Sequence, residues 1–166
     1  MKIRYTFLAI LLLMGCFLGC NQVKRPNGLP ETFPVTITIM QDGVPLEGAI
    51  VRTAVENTAL AQWNGAGARI TNASGKTEMY SYGFKGLIAG EHKIVVNKEI
   101  CHRPPDVTDT VMYDEYEFFV DQKFWSANTT PLTIDVQSGT KAFTLDVEPF
   151  DPKTYDVRKF GKKLKK

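Results

Sequence analysis

Alternating apolar and polar residues through the middle of the chain predict a series of short β-strands. The segment 35–39 places three β-branched apolar residues on one face and two threonines on the other. The same period of two recurs at 91–97, 132–136 and 143–147. Because no segment of this central region keeps a helical period of apolar residues, the pattern favours an all-β protein.

Turn-forming residues separate the alternating segments. Asp42-Gly43 and Asn72–Gly75 each lie between extended segments, and their glycines can adopt positive φ without steric cost. Gln137–Thr140 separates the last two alternating segments, which predicts that these two strands form a hairpin. Six or seven short strands with mostly antiparallel connections indicate an Ig-like sandwich of two sheets over residues 35–150.

The connection over residues 98–131 is long and rich in acidic and aromatic side chains. Loops of this length within a compact domain tend to be functional or mobile. Its aromatic residues could form a platform for sugar rings, or they could pack the connection onto the sandwich. Its acidic residues lack the regular spacing of a calcium-binding loop. The candidate ligand contacts are Tyr113, Tyr116, Phe124 and Trp125.

Residues 1–20 have the pattern of a bacterial lipoprotein signal peptide. Lys2 and Arg4 precede the unbroken apolar run Phe7–Met14, and a glycine then precedes a cysteine at two places. The apolar run is shorter than the about 20 residues that a membrane-spanning helix requires. Cleavage before Cys20, or before Cys16, would make a lipid-modified cysteine the new N-terminus.

Each of the two cysteines has one argument in its favour as the lipidation site. Cys16 has a leucine three residues before it, as such cleavage sites prefer, whereas processing at Cys20 leaves no apolar stub. An ordinary secretory signal with incidental cysteines is the alternative. Two or three acyl chains anchor a protein stably, so we expect a membrane-anchored protein of the cell envelope, on its periplasmic or extracellular face.

Composition adds the charge distribution to this picture. The chain is 43% hydrophobic and 23% charged, as is ordinary for a globular protein. Removal of Lys2 and Arg4 leaves 18 basic residues against 18 acidic ones. The segment 21–34 contains three prolines and few apolar residues, which predicts an extended tether between lipid and domain.

A basic tail over 151–166 follows the predicted sandwich. Residues 152–166 contain seven basic residues and one acidic residue, which favours either a solvated, mobile terminus or contact with anionic lipid or envelope polymer. The segment is too short to be stably helical in water, so we expect it to become an amphipathic helix only at such a surface. Nucleic acid is not an expected partner. The candidate surface contacts are Arg158, Lys159, Lys162, Lys163, Lys165 and Lys166.

No motif of the chain predicts catalysis. Cys101 and His102 are adjacent, but neither belongs to a CxxC or HxxxH pattern, so we expect no metal and a small buried Cys101. The only histidines, His92 and His102, are not closely spaced as in the iron site of intradiol dioxygenases. The chain contains no GxSxG, P-loop or HExxH pattern. We therefore expect no enzyme and no cofactor.

Four strings occur in the order seen in one family of small domains, with Asn72 where an aspartate is usual and His92 where an aromatic residue is usual. The strings are Asp42–Val51, Thr71–Lys76, Ala89–Val96 and 131–145. Together they resemble the carboxypeptidase regulatory-like domains, which are common in bacterial surface lipoproteins, notably those of planctomycetes. The resemblance covers about residues 33–148. It implies a transthyretin-like Greek-key sandwich of about seven strands, and it implies no reaction.

These features together predict a non-catalytic binding or structural module, anchored by lipid to the cell envelope, whose protein or glycan partner is unknown. The alternative is a carbohydrate- or peptidoglycan-binding domain that uses the aromatic connection at 99–127. A third hypothesis is an enzyme with a metal at His102.

Overall fold

The computed structural model describes residues 24–55, 67–102, 115–155 and 161–165. The signal peptide and both candidate lipidation sites, Cys16 and Cys20, lie outside these residues. Four candidate contacts also lie outside them, namely Tyr113, Arg158, Lys159 and Lys166. No helix within the described ranges is long and apolar enough to cross a membrane.

The described chain is an all-β sandwich, as the alternation predicts, and its strands are numbered here along the sequence. The first main sheet has the order β14-β2-β3, with β6 also paired to β2. Its strands are β2 (Val35–Gln41), β3 (Val44–Pro45), β6 (Lys76–Glu78) and β14 (Lys141–Val147). The second main sheet has the order β13-β10-β4-β5. Its strands are β4 (Ile50–Val55), β5 (Arg69–Ile70), β10 (Gly90–Asn97) and β13 (Thr133–Val136).

The hydrophobic core lies between the two main sheets. Ile37 of β2, Val51 of β4 and Ile94 of β10 are fully buried and belong to one cluster. Full burial of such a side chain contributes about 1.5–3 kcal/mol relative to exposure. The alternation that predicts strands therefore also identifies the side chains that hold the two sheets together.

The predicted hairpin between the last two strands is wrong. β13 pairs antiparallel with β10, whereas β14 pairs in parallel with β2, from Lys141 opposite Val35 to Val147 opposite Gln41. The turn at 137–140 therefore carries the chain from one sheet to the other. Alternation indicates that each segment is a strand with one buried face, but it does not indicate which other strand that segment pairs with.

The connection at 98–131 is largely ordered structure where it is described. β11 (Glu99–His102) and β12 (Glu115–Phe118) form an antiparallel ribbon, and a 3₁₀ turn follows at Gln122–Trp125. Cys101 is exposed on this ribbon, so the prediction that it is a small buried residue is wrong. Ile100 and Cys101 of the ribbon are exposed, whereas Phe118 at the end of β12 is buried.

Two short ribbons and the C-terminal segment complete the structure. β1 (Thr32–Phe33) pairs with β9 (Leu87–Ile88), and β7 (Tyr80–Ser81) pairs with β8 (Phe84–Lys85). A second 3₁₀ turn, Pro152–Thr154, follows β14. β15 (Lys163–Leu164) then pairs in parallel with β12. The C-terminal segment thus returns to the ribbon formed by the long connection.

Candidate functional site

Four aromatic side chains form a continuous cluster where the long connection meets the C-terminal segment. Phe118 lies at the centre, with ring centroids 4.7 Å from Trp125, 5.3 Å from Phe150 and 5.2 Å from Tyr155. We call Phe118, Trp125, Phe150 and Tyr155 the aromatic cluster. It joins three separate segments of the chain, which supports the interpretation that these aromatics pack the connection onto the domain.

Trp125 is the partly exposed member of the cluster beside a surface groove, and its ring is held in one orientation. Its indole Nε1–H donates to the backbone oxygen of Val120 at 3.0 Å. Its ring lies nearly parallel to that of Phe150, at an interplanar angle of 7° and a centroid distance of 6.2 Å. A ligand that stacks on this indole would therefore find it already positioned, without the cost of ordering a mobile side chain.

The groove beside Trp125 has a volume of about 810 Å³. Two charged side chains at its wall already have partners. Asp121 Oδ1 accepts the backbone N–H of Lys123 at 2.9 Å, and Lys123 Nζ pairs with Glu148 at 2.5 Å. Asp121 and Lys123 are its charged lining residues, one of each sign, so the formal charge of the lining is zero. The other lining residues are Gln122, Ser126, Asn128, Thr129 and Thr154.

Gln122 is the residue of the groove with a buried polar atom to satisfy. Its Nε2 donates to the backbone oxygen of Thr154 at 2.7 Å. Its Oε1 is buried and has no hydrogen-bond partner among the described residues. A buried acceptor without a partner is uncommon in folded proteins.

The groove combines one aromatic face with amides, hydroxyls and a near-neutral charge, which suits the recognition of a neutral polar molecule. The described residues contain no cluster of three or more His, Cys, Asp or Glu side chains that could hold a metal ion. The chemistry that these groups can perform is hydrogen bonding and stacking.

The residues predicted as ligand contacts lie in different environments in the structure. Trp125 lines the groove, whereas Phe124 is 2% exposed and belongs to the core, which removes it as a surface contact. Tyr116 stacks on Phe118 at 6.1 Å and is not part of the groove wall. The sequence analysis missed the polar residues of the wall. A polar run after Trp125 could have indicated Asn128 and Thr129, but no local pattern indicates the distant Thr154.

The described part of the basic tail is folded back onto the domain, so the expectation of a mobile terminus is wrong for residues 161–165. The helix expected at an anionic surface stays a prediction. Lys162 Nζ lies 2.5 and 2.7 Å from the carboxylate oxygens of Glu99, and 4.7 Å from the ring centroid of Tyr116. The backbone N–H of Lys165 donates to the oxygen of Tyr116 at 3.0 Å, and Lys165 Nζ is 3.9 Å from Glu117. Lys163 is exposed on β15.

The two histidines lie in different environments. His92 is 1% exposed, and its Nε2–H donates to the backbone oxygen of Ile88 at 2.8 Å. Burial lowers the pKa of His92 below its ordinary value. His102 lies on the exposed ribbon with Nε2 3.1 Å from a carboxylate oxygen of Glu117. The buried ring of His92 fills the core position at which the resemblance has an aromatic residue.

Comparisons with known proteins add little to this description. No family model matches the chain, and no curated protein matches it. Among solved structures, it is similar to BcpA, the major pilin subunit of Bacillus cereus, at 13% identity, with 72% of this chain and 30% of that chain covered and a TM-score of 0.41. It is also similar to a 9R-lipoxygenase from Cyanothece PCC8801 at 13% identity, with 89% and 21% covered and a TM-score of 0.32. The chain spans less than a third of either protein, and similarities at these TM-scores carry no argument about function.

Proposed function

We propose that this protein is a lipid-anchored, non-catalytic binding module of the cell envelope. The N-terminal pattern supports the anchor, because a basic start, a short apolar run and two Gly-Cys steps occur together. The four strings that resemble carboxypeptidase regulatory-like domains support a surface lipoprotein of that type. The neutral groove beside Trp125 supports binding rather than catalysis.

The anchor is tested by mass spectrometry of the mature N-terminus. We expect an acylated cysteine, and the Cys20→Ser and Cys16→Ser variants should show which thiol carries the lipid. The variant that removes the modified thiol should appear in the soluble fraction, while the other serves as its matched control. A mature N-terminus that is processed but carries no acyl group would contradict the anchor.

The groove favours carbohydrate as the ligand, and one observation carries this proposal. The indole of Trp125 is fixed in orientation beside the amides and hydroxyls that line the groove. Sugar rings present one apolar face that stacks on an aromatic ring and many hydroxyls that both donate and accept hydrogen bonds. A neutral envelope glycan, including the sugar backbone of peptidoglycan, fits this combination.

Carbohydrate binding is tested on a glycan array with the mature chain from residue 21, which contains every described residue. We expect saturable binding that is lost in Trp125→Ala. Because Trp125 also supports the aromatic cluster, Asn128→Ala provides a second variant whose exposed side chain can be removed without disturbing the fold. Tyr82→Ala, which removes an aromatic side chain from the turn between β7 and β8, is the matched control.

The outcomes separate the hypotheses. Binding that survives both groove variants would place the ligand elsewhere, and the absence of any glycan binding would leave protein ligands as the class to search by crosslinking in intact cells. Iron or zinc retained at one ion per chain by the purified protein would contradict the non-catalytic proposal.

A further inference from the structure

The C-terminal segment contributes directly to the groove, which links the basic tail to the candidate binding site. Thr154, in the second 3₁₀ turn, lines the groove, and its backbone oxygen accepts the hydrogen bond from Gln122. We propose that docking of the C-terminal segment regulates this groove, and that an anionic phospholipid surface releases the segment. The inference rests on the proposed function in taking the groove as the binding site.

The C-terminal segment forms part of the wall of the groove. Asp151 begins the second 3₁₀ turn, and its side chain accepts the backbone N–H of Lys153 at 2.9 Å. Tyr155 follows the turn and packs edge-on against Trp125, with a centroid distance of 6.3 Å. The same short segment therefore supplies a polar wall of the groove and an aromatic support for its indole. If the segment moves, both change.

Lys162 holds the tail on the domain, and we call Lys162 with Glu99, Tyr116 and Tyr155 the clasp. The Nζ of Lys162 lies between the carboxylate of Glu99 and the ring of Tyr116. The backbone oxygen of Lys162 accepts a hydrogen bond from the hydroxyl of Tyr155 at 2.8 Å. Continuous contacts thus run from Glu99 through Lys162 and Tyr155 to Trp125. The clasp joins the tail to the groove.

An anionic bilayer competes with two carboxylates of the domain for the lysines of the tail. In the docked state the ammonium groups of Lys162 and Lys165 are neutralised by Glu99 and Glu117, whose side chains are 27% and 44% exposed. Solvent-exposed ion pairs are weak and screened by salt, so other anions can replace them. An anionic bilayer presents many negative charges at once to a basic segment. Release frees both ammonium groups from Glu99 and Glu117 for full contact with the bilayer, so an anionic bilayer favours the released state.

A membrane is the partner that we propose for the basic tail, because the proposed lipid at the N-terminus holds the domain beside a bilayer. The two signals then have different roles. The lipid places the protein at the surface, and the tail reports whether that surface is anionic. Release of the tail removes one wall of the groove and lowers its affinity.

The test uses two readouts that need no glycan. Hydrogen exchange of the Lys165 amide reports docking, because this N–H donates to Tyr116 in the docked state. Acrylamide quenching of Trp125 reports the groove, with Trp63, the other tryptophan of the chain, replaced by phenylalanine. The probes are phosphatidylglycerol vesicles and, as the uncharged comparison, phosphatidylcholine vesicles at low salt.

We expect phosphatidylglycerol vesicles to remove the protection of the Lys165 amide and to raise the quenching constant of Trp125, because the indole loses the support of Tyr155 when the segment moves. Phosphatidylcholine vesicles, or high salt with either lipid, should change neither. Lys162→Ala should produce the released state without vesicles, and Lys162→Arg should remain docked. Lys163→Ala is the matched control, since it removes the same charge from an exposed position on β15.

Each result decides one part of the proposal. An unprotected Lys165 amide in the wild-type protein would overturn docking. Release without any change at Trp125 would overturn the coupling to the groove, and equal effects of Lys162→Ala and Lys163→Ala would overturn the clasp. None of these results depends on the glycan array, so the regulation and the carbohydrate ligand can fail separately.

Discussion

Gly86 is the position at which one added methyl group should most disturb the sandwich. A Cβ placed on Gly86 would lie 2.3 Å from the backbone oxygen of Phe33 and 2.5 Å from its carbonyl carbon, and the φ of Gly86 is +105°. Both neighbouring atoms are backbone, so no side-chain rotamer change can relieve the contact. The chain at residue 33 would have to move away by about 1 Å to restore van der Waals separation.

The expected loss in the free energy of unfolding follows from the strand pairing that this movement would break. Phe33 belongs to β1, which pairs with β9 at Leu87 and Ile88, and both of these side chains are almost completely buried. Positive φ costs a non-glycine residue about 1–2 kcal/mol. Loss of two backbone hydrogen bonds adds about 1–3 kcal/mol. We therefore expect Gly86→Ala to lower the free energy of unfolding by about 2–5 kcal/mol, a large part of the stability of an ordinary domain.

Gly83→Ala is the matched control for this prediction. Gly83 also has positive φ, +82°, but a Cβ there would meet no atom within 4 Å. Its expected cost is that of positive φ alone, about 1–2 kcal/mol. Urea unfolding of the mature chain, followed by circular dichroism, measures both variants. Equal destabilisation by the two substitutions would refute the argument that close approach of the backbone, rather than φ, requires glycine at 86.

Three further predictions concern the buried polar groups and the turns. Burial lowers the pKa of His92, so the unfolded chain binds the proton more readily than the folded one. The free energy of unfolding should therefore be highest above about pH 6.5 and should fall below it. A smaller fall in His92→Phe would support this, and an equal fall would contradict it. Thr71 Oγ1 donates to the oxygen of Leu46 at 2.5 Å and accepts the N–H of Ala49 at 2.9 Å, so Thr71→Val should cost about 2–3 kcal/mol in urea unfolding while Thr71→Ser retains most stability. Asn72 Oδ1 accepts two backbone N–H groups at 2.9 and 3.0 Å, so Asn72→Ala should lower the melting temperature by a few degrees, about 1 kcal/mol, whereas Asn72→Asp should not.

The sequence predicts the strands of this protein better than it predicts their partners. Val35, Ile37 and Ile39 are buried as their alternation indicates, because a period of two places every second side chain on one face. The same rule holds for Ile134 and Val136 of β13. It does not determine which sheet a strand joins, since that depends on contacts between distant segments. The predicted hairpin therefore failed while both of its strands were found.

The candidate site was predictable only in part. Trp125 was identified because a long connection rich in aromatics usually has a purpose beyond linking two strands. Thr154 could not be identified, because it reaches the groove only through the folding of the C-terminal segment. The tail was also predicted only in part. Its composition favours a mobile terminus in water, but pairing with β12 places Leu164 in a strand, and such tertiary pairing readily overrides a weak local preference.

The parallel pairing of β2 with β14 has a mechanical consequence. The chain enters β2 at one end of the pair, whereas β14 leaves it at the opposite end, since Val35 lies beside Lys141 and Gln41 beside Val147. A pull between these two points slides the strands along each other, so the hydrogen bonds of all seven residue pairs resist together. An antiparallel pair pulled from adjacent ends would instead open one bond at a time. Forced unfolding is governed by the barrier to this first rupture, so the sandwich should resist a pull between these two points far better than its equilibrium stability alone would suggest.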